Sequence, residues 1–305
     1  MRSSQLLEGL PSPSRGDRAV VGLNPLTPSS FIRRAWSDFQ VRLGLVITLF
    51  VVVFALVGPW FAPYDPISFA GPVFGPPRAD APVGFDFLGR DVLSRVLAGG
   101  RSVVWMSLAV ASLALVAGTW IGMVAGYGSR ILDQAIVWAT DVFHSFPNLI
   151  LVLLVVSMLG REPWLIVITA AAAMTPGVVR LTRGLTLGLG SHEFVEAAEV
   201  VGFSRFRIRM FEILPNLVRS LVVHFGAMLS WAVGILAALS FLGYGVAPPA
   251  ADWGLMINEN RVGLQIQPWA VLTPMVLIAL LALGTNVLAE GLGRLASGDE
   301  KETGA

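Results

Sequence analysis

The chain has 305 residues, 55% of them hydrophobic and only 13% charged, where soluble globular proteins carry roughly 25% charged residues. That deficit argues for an integral membrane protein, and a net charge of +1 leaves no basic field for nucleic acid. Cysteine is absent, which excludes disulfides, thiol nucleophiles and cysteine-ligated zinc; the single lysine, Lys301, lies in the polar tail, which excludes a Walker A phosphate loop.

Residues 1–40 are polar and rich in Ser, Pro, Gly and Arg, with no apolar core of signal-peptide type. They read as a cytoplasmic segment, disordered over 1–30, with Phe31 to Gln40 a short helix along the membrane surface. The first apolar run, Leu43 to Ala62, is long enough to cross a hydrocarbon core of roughly 30 Å. Pro59, Pro63 and Pro66 end it. Residues 63–101 follow as a Pro/Gly-rich external loop with one short helix predicted at Gly89 to Ala98. The second run, Ser102 to Ala125, is uncharged. The third, Ile131 to Leu159, carries Asp133, Asp141 and His144 in its first half and a predicted kink at Pro147. The fourth, Pro163 to Val179, is short and alanine-rich, with Pro176 near its end. A charged island then precedes the fifth run, Leu221 to Leu242. A loop containing Pro248, Pro249, Asp252, Glu259 and Arg261 leads to the sixth, Pro268 to Ala289.

The expected architecture is therefore all-α and integral to the membrane, with six transmembrane helices. It divides into the segment 1–40, a first helix with its external loop over 41–100, a five-helix core over 101–290 with a cytoplasmic loop at 181–220, and a tail at 291–305. Six crossings put both termini on one side. With that side cytoplasmic, fifteen Arg and Lys lie inside and six outside, the imbalance that the positive-inside rule selects. No internal repeat of the kind found in many secondary transporters is visible.

The island, residues 190–217, reads as a helix-turn-helix. Ser191 is the predicted N-cap, Glu193 suits the first turn, and Gly202 is placed to end the helix in a left-handed conformation. Ser204 can cap a second helix bearing Arg205, Arg207 and Arg209, and Pro215 marks the join to the fifth span. An ordinary cytoplasmic loop would show the same arginines. The sequence Glu196-Ala197-Ala198, then Gly202, then Leu214-Pro215 before the penultimate span, however, resembles the "EAA" loop of ABC importer permeases. The general pattern has an apolar residue ten positions after the glycine. Glu212 stands there and Ile213 follows, an offset similar to that of the peptide-permease branch.

Other stretches strengthen the resemblance. Phe85-Asp86-Phe87-Leu88-Gly89-Arg90-Asp91, running on to Arg95, looks like the segment before the second span in the C-type subunit of dipeptide and oligopeptide permeases. Trp60 to Pro66 and Asp141 to Pro147 fit the same subunit. The resemblance implies a type I ABC importer transmembrane domain in the bacterial plasma (inner) membrane, itself non-catalytic. It implies a second homologous permease, two ATP-binding subunits that hold ATP and Mg, and an extracytoplasmic substrate-binding protein. It makes Glu196, Ala197, Ala198, Gly202, Leu214 and Pro215 the residues that couple to the ATPase.

Competing readings attach to single features. Arg90, Asp91 and Arg95 are spaced for local helix ion pairs. Ala114, Gly118, Gly122 and Gly126 repeat at four residues, the spacing of a close helix–helix seam in lipid. Asp141 and His144, three apart inside a span, define the rival function: a stand-alone proton-coupled carrier. His224 reads as a packing histidine. The external loop from Leu242 to Arg261 reads as an outer gate and docking surface, capped at the interface by Trp253 and Trp269. His192-Glu193 and Glu196 do not complete a zinc-protease helix, which needs a second histidine where Glu196 stands. No catalytic, cofactor or metal residue is assigned.

Overall fold

A computed structural model of the protein describes residues 35–302, so the expectation of disorder over 1–30 lies outside the described residues. Helix α1 (Phe39–Val57) starts because the Asp38 carboxylate accepts from the amides of Gln40 and Val41 at 2.9 and 3.0 Å. A 3-10 turn, Gly58–Phe61, completes the crossing where Pro59 removes a donor.

Helix α2 (Val92–Gly126) begins ten residues earlier than the second apolar run, so the separate short helix predicted at 89–98 does not exist. Asp91 caps it, accepting from the Ser94 amide at 2.7 Å. It runs unbroken through Gly99-Gly100 because tertiary packing overrides local propensity there. A β-carbon on Gly100 would stand 2.4 Å from the Trp253 ring and 2.6 Å from Ala55.

The third crossing is broken rather than kinked. Helices α3 (Arg130–His144) and α4 (Asn148–Leu159) meet at 80° across Ser145 to Pro147. Helix α5 (Pro163–Gly190) instead outruns its prediction by eleven residues, with Pro176 in its interior rather than near its end. Helices α6 (Glu193–Val200) and α7 (Arg205–Ile208) form the island. A π-helical turn, Arg209–Ile213, joins α7 to α8 (Leu214–Phe241), so Pro215 marks no join: residues Arg205 to Phe241 form one continuous 37-residue span. Pro215 has no N–H to offer the preceding turn, and the side chain of Asn216 donates to the Glu212 carbonyl at 2.6 Å. Helix α9 (Trp253–Asn260), capped by Asp252, and helix α10 (Trp269–Glu302) complete the order.

Five of these helices are long and apolar enough to cross a membrane, and the bent α3–α4 pair makes six. Two close seams organise them. Helices α2 and α5 meet along Gly118, Gly122 and Gly126, where an added β-carbon would stand 2.4, 2.7 and 2.8 Å from the β-carbons of Val178, Thr182 and Thr186. Helices α1 and α10 meet at Gly44 and Gly284, where it would stand 2.4 Å from the Leu288 amide and 2.8 Å from the Thr48 hydroxyl. The small-residue spacing of the second span is thus a packing seam. Met106, Val110, Ala114, Ile166, Ala170, Met228 and Leu239 fill the central core between α2, α5 and α8.

Gly118→Leu should wedge α2 from α5 and destabilise the fold by about 1–3 kcal/mol. Thermal unfolding in detergent should show it, with Gly177→Ala as the neutral control, because no atom lies within 4 Å of a β-carbon added there.

Candidate functional site: the elbow and the ion cluster at the opposite end

The island folds as an elbow at the joined ends of α5 and α8. Ser191 is not the N-cap: its hydroxyl donates back to the Gly188 carbonyl at 3.0 Å, and His192 holds the cap position without a side-chain bond. Glu193 and Glu196 occupy the first turn of α6, as the helix dipole favours. Gly202 stops α6 with φ at +86°, a conformation that disfavours any side chain. Ser204 then caps α7, accepting from the Arg207 amide at 3.3 Å.

One face of the elbow is buried. Val195, Ala198, Ile208, Ile213 and Leu217 pack with Met123 of α2 and Leu221 of α8. The opposite face is open and mixes acid with apolar surface: Glu193, Glu196 and Ala197 are exposed, and Val200 and Val201 are 87% and 68% accessible. The six residues singled out from sequence therefore separate. Glu196, Ala197 and Gly202 lie on the open face, Ala198 anchors the helix beneath them, and half-buried Leu214 and exposed Pro215 sit on the α8 stem.

Three contacts here were not foreseen. The Tyr127 hydroxyl, at the end of α2, donates to the Glu199 carboxylate of α6. Trp120 of α2 meets Phe206 edge-on, with ring centroids 5.8 Å apart, and the Arg209 guanidinium lies 5.6 Å from the Trp120 ring centre. Aromatic residues near the end of a predicted span were the available signal.

At the opposite end of the bundle, the loop between α1 and α2 folds over α9 around a largely buried, neutral ion cluster. Asp86 accepts from Arg90 Nε at 2.7 Å and lies 3.4 Å from Arg95 Nε. Glu259 of α9 accepts from Arg90 at 3.0 Å and from Arg95 at 2.9 Å. The expected local pairing of Asp91 is thus replaced by helix capping, and the arginines pair with Asp86 and Glu259. Trp253 is fully buried rather than interfacial, its indole donating to the Val96 carbonyl at 2.8 Å, whereas Trp269 is exposed. Burial pushes the Asp252 carboxyl upward, against hydrogen bonds from the Ser102 hydroxyl at 2.6 Å and the Leu255 amide at 3.0 Å. Burial likewise raises Glu259, with Arg95 and Arg90 opposing it. A carboxyl raised in the fold binds its proton more tightly there than in the unfolded chain. Its stabilising contribution is full below the ordinary carboxylate range and is lost as pH rises through the raised value.

The binding-protein-dependent transport system inner membrane component family matches residues 118–297, which include the whole elbow. The chain belongs to this family. It is 34% identical over 285 residues to the glutathione transport system permease protein GsiD of Shigella sonnei, covering 90% of this chain and 94% of that one. It is 33% identical over 283 residues to the dipeptide transport system permease protein DppC of Haemophilus influenzae, covering 88% and 95%. The permease is thus a non-catalytic membrane component of an ABC transporter, with the type I transmembrane domain.

The family overturns the rival proton-coupled reading, and the geometry agrees. Asp141 does not pair with His144; its carboxylate accepts from Arg180 of α5 at 2.6 Å. Asp133 forms a two-pronged pair with Arg183, at 2.5 and 2.8 Å. Both carboxylates of α3 are thus engaged by arginines of α5 and not by a histidine. Among the described residues, no group of three His, Asp or Glu is placed to hold a metal.

Glu259→Ala would leave two buried guanidinium groups with Asp86 alone. A loss of about 3–5 kcal/mol is expected, by analogy with other broken buried pairs. Glu259→Gln, which keeps an acceptor, should cost less; melting of the purified permease complex measures both.

Proposed function

We propose that this permease forms one half of the path of an ATP-driven importer for dipeptides, oligopeptides or peptide-like solutes such as glutathione. Its site is the bacterial plasma (inner) membrane, with both termini in the cytoplasm. The second half of the path comes from a homologous permease. Two further subunits bind ATP and Mg, and an extracytoplasmic binding protein delivers the cargo. The cargo class follows the two named relatives. The orientation follows the fifteen inner against six outer basic residues.

The observation that carries the reading is the elbow, a short exposed helix held from below by a packed apolar floor. Glu196 and Ala197 offer a charged and a small side chain to a partner, and Ala198 fixes their height. Gly202 makes the sharp exit, and Leu214-Pro215 carries the chain into α8. Residues 193–202 seat in a cleft of an ATPase subunit. Closure of the ATPase pair on ATP displaces the elbow, and the attached spans α5 and α8 move with it. The path thereby alternates between open outside and open inside.

Glu196→Lys reverses charge on the open face, and Gly202→Asp strains the exit. Both variants should insert and assemble normally yet abolish uptake and substrate-stimulated ATP hydrolysis in proteoliposomes containing the full transporter. Normal coupling in both would remove the elbow as the ATPase contact.

A further inference from the structure

The elbow is fastened to α2 as well as to the two spans it connects. Tyr127, the residue that ends α2, donates to Glu199, and Trp120, two turns earlier, contacts both Phe206 and Arg209. Met123, between them, packs into the apolar floor of the elbow. These three residues share one face of α2. Burial and the Glu199 bond raise the Tyr127 phenol to about 12, so it stays a donor throughout the physiological range.

The spans that reach the elbow differ in where proline and π-helical turns fall along them. Helix α5 carries Pro176 in its interior, and α8 starts from a π-helical turn. Both are points where a helix bends. Helix α2 has neither: its 35 residues contain no proline and extend about 50 Å. Its far end holds Arg95, buried against Glu259 of α9 and Asp86 of the outer loop. The same helix therefore touches the elbow inside and the ion cluster outside, with its glycine face braced on α5 between them.

We propose that Tyr127 and Trp120 are positioning residues that clamp the elbow to α2, and that α2 carries elbow displacement to the ion cluster and α9 on the outer side. The clamp rests on the reading that an ATPase moves the elbow, and the test separates the two. The absence of cysteine from this chain permits a single reporter, Val262→Cys, at a position 78% exposed just after α9.

In the complete reconstituted transporter, a membrane-impermeant maleimide should label this subunit at a rate that changes when ATP and vanadate trap the ATPase. Tyr127→Phe removes one oxygen and leaves the ring. It should leave basal ATP hydrolysis running and reduce the nucleotide-dependent labelling change and coupled uptake about three- to tenfold, as expected for one lost hydrogen bond. Glu199→Ala should match it. Glu199→Gln, which still accepts, should restore most of the coupling, and the double variant Tyr127→Phe with Glu199→Ala should be no worse than either single one. Trp120→Ala should cost more than Tyr127→Phe. Coupling near the starting level in Tyr127→Phe and Trp120→Ala, equal losses in Glu199→Gln and Glu199→Ala, or a labelling rate indifferent to nucleotide would each overturn the clamp. Uncoupling by Glu196→Lys alone would show that the elbow contact stands and the clamp fails; coupling retained in all variants would sink both.

Discussion

The contact on which the rest of the molecule depends is the close approach of α2 and α5. In lipid, helices gain little by hiding apolar side chains from one another, so association rests on how closely their surfaces fit. Gly118, Gly122 and Gly126 remove the side chains that would hold the two backbones apart, and Val178, Thr182 and Thr186 fill the space. The seam has consequences at both ends. At one end it sets the end of α2 beside the end of α5, so that Tyr127 and Trp120 reach the elbow that α5 introduces. At the other end it fixes the start of α2, which positions Arg95 for Glu259 and gives Trp253 a place against Gly100.

Much of this was legible in the sequence where the physics is local or compositional. Six apolar runs gave the crossings, the four-residue repeat of small side chains gave the seam, and Gly202 gave the left-handed exit. The errors share one cause: a boundary read from hydropathy is not a boundary of hydrogen bonding. Helix α2 starts at Val92, where Asp91 caps it, although the run of uncharged residues starts only at Ser102. Helix α5 continues past Val179 because arginines are compatible with helix once the chain reaches the interface; Arg180 and Arg183 sit on it and pair with α3. Ser191 looked like an N-cap and is not one, because it closes the end of α5 and its hydroxyl turns back to the Gly188 carbonyl. The partners of Arg90 and Arg95 were out of reach for another reason. Glu259 lies more than 160 residues away, and no local spacing announces a contact of that range.

The broken third crossing follows the distribution of charge along it. Helix α3 carries Asp133 and Asp141, and both face arginines of α5 in antiparallel order, Asp133 with Arg183 and Asp141 with Arg180. Helix α4 carries no charge and sinks Val152 and Val156 into the central core. The two halves thus make different kinds of contact, one by ion pairs along the rim of α5 and one by apolar burial between α5 and α8. The segment Ser145 to Pro147 lets each take its own direction. Pro147 has no amide hydrogen to continue the ladder, and the Ser145 hydroxyl donates to the Val142 carbonyl at 2.7 Å, which closes α3 before the turn.

Charge also distinguishes the two ends of the molecule. At the end away from the elbow, Asp86, Arg90 and Arg95 are buried, Glu259 is partly buried, and the four sum to zero, each hydrogen-bonded to at least one of the others. A matched buried set fixes the relative placement of the segments that supply it, because any displacement of one member strands another in a medium of low polarity. At the elbow, Glu193 and Glu196 are exposed beside exposed valines, and none of the described residues covers them. Exposed acids are strongly hydrated and fix nothing in the fold, so their removal should leave the bundle intact. Exposed valines on a rigid base, as at Val200 and Val201, instead mark a surface suited to contact with another protein. The charges of the cluster therefore hold this chain to itself, and those of the elbow take no part in holding the bundle together.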